Sequence, residues 1–388
     1  MRARALILVA MCVGCGSASS GSGTFGQNDP SGAPGVNEGT GSSGGSSSSG
    51  SSSGSSGGSF GSGGSTGGSS SGSGGGGTAS SGGSDAGIPD DVLTAGAWDD
   101  NRNYDFFNGY LAANASLQGI APVATSDRDA AFALFAGNRS PKQRLDIAIV
   151  IDTTGSMGDE AAYLSTEFQN ISAAIESQYP SSDQHWALVA YRDRPDTDPG
   201  DNYVVQSWDF TTDLTAFQTT ISGLTAAGGG DYPEAPDLGL AAANTLSWRP
   251  DADVARLAFW VADAPQHDQY SAAMVQDFSD AHGKDIHLYP VSASGADELL
   301  EYTMRSGAQV TGGRYLFLTD DSGIGDSHLA PTIPCYFVTK LGKSIVRMVS
   351  IELSGVYAEP DASDIIRVGG NPMAGQCAVD DGGSVTIF

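Results

Sequence analysis

The sequence predicts an α/β fold: a doubly wound, mostly parallel sheet with helices on both faces, preceded by a disordered Gly/Ser linker. Three observations lead there. Gly and Ser crowd the chain between Gly16 and Gly87, so this stretch supplies no core and leaves one domain of ordinary size among the 388 residues. From Leu145 onward, apolar strand-like runs alternate with helix-length segments. The strand runs are almost continuously apolar, as strands covered on both faces are.

Taken in order, LDIAIVI is the first strand of this region, followed by a helix from Met157 to Gln178. WALVAY and YVVQSWDF are strands, and Leu214 to Leu224 and Pro236 to Leu246 are helices. ARLAFWVA is the next strand. A helix over Ala272 to His282, the strand DIHLYPVSA, a helix over Asp297 to Ser306, the strand RYLFL and a last long helix from about Cys335 to Leu353 complete the pattern. Ligands of such folds bind outside the carboxyl ends of the strands, which directs attention to the loops after Ile151 and Ala262.

The chain divides into a signal peptide (1–14), a linker headed by Cys15 (15–86), an N-terminal cap segment (87–144), the folded domain (145–355) and a C-terminal tail (356–388). The leader carries Arg2 and Arg4, an apolar run from Ala5 to Val13, then Gly14 and Cys15. That run is too short to span a bilayer and has the layout of a secretion signal. Its end resembles the lipobox of bacterial lipoproteins, with Gly14 and Cys15 matching and Cys12 standing where that family usually carries Leu. The resemblance implies lipidation of Cys15 and an exported protein tethered to the cell envelope, at the outer membrane or cell surface. An ordinary signal peptide is the alternative. About 70 flexible residues would then give the tether a root-mean-square span of roughly 45 Å.

Of the four cysteines, Cys12 leaves with the leader and Cys15 takes the lipid, so Cys335 and Cys377 remain in an oxidising compartment and are expected to pair. Two buried thiols are the alternative. Within the cap segment, Trp98, Tyr104, Phe106, Phe107 and Tyr110 are expected to pack onto the main domain. Asp99, Asp100, Asn101 and Asp105 lack the ligand spacing of an EF-hand.

The formal charge of −27 would repel a phosphate backbone, which argues against nucleic acid as a partner. Acidity of this kind most often serves a solvated surface, and it also suits a protein that collects cations.

Directly after the first buried strand stands Asp152-Thr153-Thr154-Gly155-Ser156-Met157. A carboxylate and two hydroxyls at alternate positions, in a turn that opens a helix, can converge on one point. Hard oxygen donors with no His or Cys among them suit Mg²⁺ or Mn²⁺, with Ca²⁺ as a further option, and disfavour Zn²⁺ and copper. By itself the motif is equally an N-cap cluster, with Thr154 or Ser156 satisfying helix amides and no metal present.

The stretch resembles the DxSxS signature of von Willebrand factor A domains, in its DxTGSM form. In that family these side chains begin a metal-ion-dependent adhesion site, which two later loops complete. GGGDYPEA, from Gly228 to Ala235, resembles the loop that brings a fourth ligand, here Asp231. FWVADAPQH, from Phe259 to His267, resembles the strand end that brings the last aspartate, here Asp263. AYRDR at Ala190 to Arg194 and TGGRYLFL at Thr311 to Leu318 look like the branch found in hemicentins and alpha-kinase-associated A domains. The resemblance covers about Leu145 to Leu353 and implies the Rossmann-like A-domain fold, a divalent cation, and a protein or glycan ligand. Adhesive members usually carry Thr where this chain has Asp231. Three carboxylates, Asp152, Asp231 and Asp263, against a divalent ion should hold the metal firmly and weaken its pull on an anionic ligand. Glu234 and Asp237 lie close in sequence and read as solvated loop residues.

The expected function is thus non-enzymatic: an envelope-anchored domain that binds a divalent metal and a protein or glycan partner, reaching the membrane through its lipid. A structural module whose metal only relieves clustered carboxylates is the alternative. A serine hydrolase with Ser156 as nucleophile is a further one, because Thr154-Gly155-Ser156-Met157-Gly158 nearly forms the G-x-S-x-G elbow; its first glycine is missing. Asp152 also stands where an aspartyl nucleophile of phosphoryl transfer would, but position 154 lacks the second Asp of that pattern. No two of the five histidines have metal-ligand spacing, and His267 reads as a surface residue rather than a support for Asp263.

Overall fold

The structure, a computed structural model, describes residues 92–98, 139–196, 200–324, 327–331, 333, 335–373, 376–378 and 382–386. The leader, the Gly/Ser linker, the cluster of Asp99, Asp100, Asn101 and Asp105 and the aromatics from Tyr104 to Tyr110 lie outside these residues.

In chain order the strands are β1 (Thr94–Trp98), β2 (Arg144–Asp152), β3 (Asp183–Tyr191), β4 (Val205–Thr211), β5 (Val254–Ala262), β6 (His287–Ser292), β7 (Tyr315–Leu318), β8 (Tyr336–Lys340), β9 (Arg367–Gly369), β10 (Pro372–Met373), β11 (Gln376–Ala378) and β12 (Ser384–Thr386). The helices are α1 (Gly158–Gln178), α2 (Leu214–Ser222), α3 (Pro236–Asn244), α4 (Ser271–Gly283), α5 (Glu298–Thr311) and α6 (Leu341–Ser354). Nine strands form one sheet in the order β4-β3-β2-β5-β6-β7-β1-β8-β9. The run from β3 to β7 is parallel throughout. Around it, β4, β1 and β9 run antiparallel to their neighbours. The expected doubly wound, mostly parallel sheet is therefore present.

Strand alternation divides the core. On β2, Leu145, Ile147, Ile149 and Ile151 pack with α1, α2 and α6 on one face, while Ala148 and Val150 meet the opposite face. There Leu240 of α3, Phe278 of α4 and Met304 of α5 cover the sheet, and the small Ala148, Ala187 and Ala258 let these helices approach closely. Because both faces are covered, no residue of β5 is exposed. Among the described residues no helix is long and apolar enough to cross a membrane.

Several elements differ from expectation. Thr94–Trp98, to which the sequence pattern assigned no strand, enters the sheet between β7 and β8. The supposed single helix from Cys335 to Leu353 is instead β8 followed without a loop by α6. Tyr336, Phe337, Val338 and Thr339 are β-branched or aromatic and find ladder partners in β1 and β9, which outweighs a helical reading of the segment. Helix α5 also runs five residues beyond Ser306, from an Asp297 cap whose side chain accepts from Leu300 N–H to the left-handed Gly312.

Cys335 and Cys377 form a disulfide with their Cα atoms 5.9 Å apart. Cys335 precedes β8 rather than opening the last helix, and the bond ties that strand's start to the small β10-β11-β12 sheet.

Candidate metal centre

Strand β2 ends on Asp152, which is fully buried. The backbone N–H and the hydroxyl of Thr154 both donate to Asp152 Oδ1, each at 2.8 Å. Asp152 Oδ2 is buried with no hydrogen-bond partner among the described residues. Thr154 is extended, a 3₁₀ turn occupies Gly155–Met157, and α1 begins at Gly158. Neither helical start receives a side-chain cap. The hydroxyl of Thr154 is thus spent on the carboxylate and not on orphan amides, which separates this turn from a simple N-cap.

Strand β5 delivers Asp263 one residue past its end. This carboxyl accepts from the Ser156 hydroxyl, and its Oδ1 is buried without a partner among the described residues. The phenol of Tyr232 closes over the same loop, donating to the Asp263 carbonyl at 3.2 Å. Asp152, Thr154, Ser156 and Asp263 are therefore joined from two neighbouring strand ends, at the switch point where the chain crosses from one side of β2 to the other.

The glycine loop is pressed against this turn. Gly155 N–H donates to the Gly228 carbonyl at 3.2 Å, and Ala227 N–H to the Thr153 carbonyl at 3.0 Å. Gly229 has φ +82°, and a Cβ there would stand 2.7 Å from Glu234 Oε1 and 3.0 Å from Thr154 Cβ. Only glycine provides both the left-handed backbone and the clearance.

Asp231 follows this loop and is exposed. Its carboxylate lies with Asp193 and His267, the ligand atoms of all three within 4.8 Å of one another. Asp152 and Asp263 are not members of that group. Asp193, fully buried in the turn after β3, lies within the AYRDR motif but was given no ligand role from the sequence; its signals were that motif and its place at the carboxyl end of a strand beside β2. His267 is a buried residue and not a surface one: its Nε2 bonds Asp193 Oδ1 at 2.9 Å, and its ring meets that of Tyr270 edge-on. Nor is Glu234 solvated: it is 3% exposed, and its Oε2 has no partner among the described residues. Asp237 pairs with Arg194 at 2.5 Å.

The electrostatics follow from crowding. Burial, then repulsion from Asp263 and Asp193, pushes Asp152 up to about 8. Burial pushes Asp263 up to about 6, with Glu160 adding to the rise and Ser156 opposing it. Glu234 rises to about 10 through burial and through Asp152, Asp193, Asp263 and Asp231. Nearby arginines are engaged elsewhere, Arg192 with Asp201 at 2.9 Å and Arg194 with Asp237. Hard oxygen donors, partnerless buried carboxylate oxygens and mutual repulsion together fit a divalent cation, which would favour the ionised forms of all these groups. The hydroxyl of Ser156 bonds a carboxylate, while His267 bonds Asp193, so these contacts do not assemble a serine–histidine pair.

Residues 146–289 match the family model of the von Willebrand factor A domain, and this span includes Asp152, Asp193, Asp231, Asp263 and His267. The chain carries a von Willebrand factor A domain. Among curated proteins, the A domain is similar to a putative ariadne-like RING finger protein, R811, of Acanthamoeba polyphaga mimivirus. That match is 35% identical over 131 residues, 33% of this chain and 12% of the relative. It is also similar to the alpha-protein kinase vwkA of Dictyostelium discoideum, 24% identical over 144 residues, covering 37% of this chain and 22% of the kinase. The chain thus spans less than a quarter of the length of either relative. Of solved structures, BatB of Bacteroides thetaiotaomicron aligns at 14% identity and TM-score 0.33, covering 47% of this chain and 91% of BatB. The pilus adhesin SpaC of Lactobacillus rhamnosus GG aligns at 14% identity and TM-score 0.36, covering 48% and 30%. An A domain supports a role in protein interaction in general terms.

Proposed function

We propose that the A domain binds a divalent cation through Asp152, Thr154, Ser156 and Asp263, with Asp231 contributing from the glycine loop, and that the surrounding rim engages a protein or glycan partner. The observation that carries this reading is the pair of buried carboxylates at adjacent strand ends, each held by a hydroxyl of the same turn and each retaining a partnerless oxygen. Such a pair is costly in the absence of a counter-charge. Mg²⁺, Mn²⁺ or Ca²⁺ bound there would supply that charge and an electrophilic point at the surface.

Calorimetric titration of the chelator-treated chain with each ion tests the cation; binding that survives in both Asp152→Asn and Asp263→Ala would refute this ligand set. Glycan-array binding compared in Mg²⁺ and in EDTA tests the partner. Loss of ligand in EDTA and in Asp263→Ala, with near-UV circular dichroism unchanged, supports metal-dependent adhesion. Equal retention supports the second reading, a metal that only stabilises the loops, which the excess of carboxylates over positive charge favours.

We further propose that the chain is exported and anchored through a lipid on Cys15, the Gly/Ser tract serving as tether. Membrane partitioning abolished by Cys15→Ala is the expected result, and partitioning unchanged in that variant would remove the anchor.

A further inference from the structure

The cluster formed by Asp193, Asp231 and His267 is made by three loops far apart in sequence: the turn after β3, the glycine loop, and the loop after β5. Two of its members are buried. It differs in kind from the Asp152 turn, whose donors are all oxygen, because it adds an imidazole nitrogen. An imidazole with two carboxylates matches borderline divalent ions such as Zn²⁺ or Mn²⁺ better than Mg²⁺ or Ca²⁺, which take oxygen shells.

A second observation points to a ligand. Glu234 has 3% exposure and a partnerless buried Oε2, and it sits within the field of Asp152, Asp193, Asp231 and Asp263. No cationic side chain is among the leading influences on it. One divalent cation at the Asp152 turn, even with Asp231 drawn to it, would leave Asp193 and Glu234 as buried carboxylates that no metal answers. A second cation resolves that imbalance.

We propose that the A domain holds a second divalent ion, of the borderline transition-metal class, at Asp193, Asp231 and His267, with Glu234 the buried carboxylate whose charge it would help to answer. The charge argument rests on the first cation being bound, whereas the donor set shares only Asp231 with that reading. The competing account of the contact between His267 and Asp193 is a plain hydrogen bond that orients the aspartate, with no ion between them.

The test uses the full chain, stripped by chelation and loaded with Mn²⁺, which suits both donor sets, with stoichiometry read by equilibrium dialysis and ligation by X-ray absorption at the manganese edge. Two manganese ions per chain are expected, with imidazole scattering in the averaged spectrum. His267→Gln should release one ion and remove the imidazole signature, and Asp152→Asn should release the other and keep it. Asp231→Asn, at an exposed position that does not threaten folding, should weaken the imidazole-bearing site at least tenfold. Oxygen-only ligation in the wild-type chain, or manganese content and spectrum unchanged by His267→Gln, would overturn the proposal. A single ion lost in both His267→Gln and Asp152→Asn overturns it as well. An imidazole-bound ion whose stoichiometry is indifferent to Asp152→Asn supports the second site, and in that case it is the Asp152 reading that fails.

Discussion

Thr154 gives both its backbone N–H and its hydroxyl to a single oxygen of Asp152, at 2.8 Å each, and so aims the other carboxylate oxygen into a buried space without a partner. The neutral form of the acid is favoured there until a cation arrives. Asp152→Asn is therefore expected to raise the melting temperature of the metal-free chain and to abolish its increase on adding Mg²⁺. In the wild type, an ion at 100 times its dissociation constant should add about 2.7 kcal/mol. Thermal melts of both proteins with and without Mg²⁺ check this.

The glycine loop tolerates no side chain where it crosses Thr154. Gly229→Ala places a Cβ against Glu234 and Thr154 at φ +82°, and should cost about 1–3 kcal/mol while weakening metal binding. Urea unfolding together with calorimetric titration measures both effects. A fully stable, metal-competent variant would contradict the assigned packing.

Asp277 on α4 is far from the metal ligands in sequence and is pushed up to about 8 by burial, with Asp237 and Asp280 adding repulsion. A carboxyl whose folded value is raised binds more protons folded than unfolded, so stability falls as pH rises from about 4 through 8. Asp277→Asn should flatten that slope and gain about 1–2 kcal/mol at pH 8. Denaturant unfolding at pH 5 and pH 8 decides it.

At the opposite end of the sheet, Glu352 of α6 meets Arg139 at 2.9 Å and His287 at 2.8 Å, and Tyr289 donates to it. Burial alone would raise this carboxyl, but His287 and Arg139 hold it well below the usual range. His287 is correspondingly raised: burial opposes the shift, and Glu352 and Asp285 overcome it. Its contribution to stability is fully present below its ordinary 6.5 and is lost as pH rises through the raised value. Glu352→Gln removes the carboxylate shared by the partly buried Arg139 and the buried His287 and should destabilise by about 3 kcal/mol, read by urea unfolding at pH 6.

The disulfide closes a sequence separation of 42, worth about 4 kcal/mol in the chain-entropy description. Because β8 runs into α6 without a loop, the bond restrains the last helix through that strand rather than by gripping its first turn. The double variant Cys335→Ser, Cys377→Ser should lower the melting temperature and speed hydrogen exchange in β8 and the start of α6. Unchanged exchange in both elements would remove the restraint.

The alternating architecture was legible in the residues alone, because burial on both faces writes each strand as a continuous apolar run such as ARLAFWVA. The turn at Asp152, Thr154 and Ser156 was legible too, because these donors are neighbours in the chain; the contact of Thr154 with Asp152 is local, whereas Asp263, the partner of Ser156, comes from the end of β5. The two cysteines were legible by elimination. Tertiary structure decided the rest. It set β1 between β7 and β8, and it turned the residues before α6 into a strand, since ladder partners and not local propensity stabilise those segments. It brought Asp193 and His267 to Asp231, and it buried Glu234 among four other carboxylates. No spacing rule links positions 193, 231 and 267. Their proximity exists only because β3, β2 and β5 lie side by side and end at the same edge.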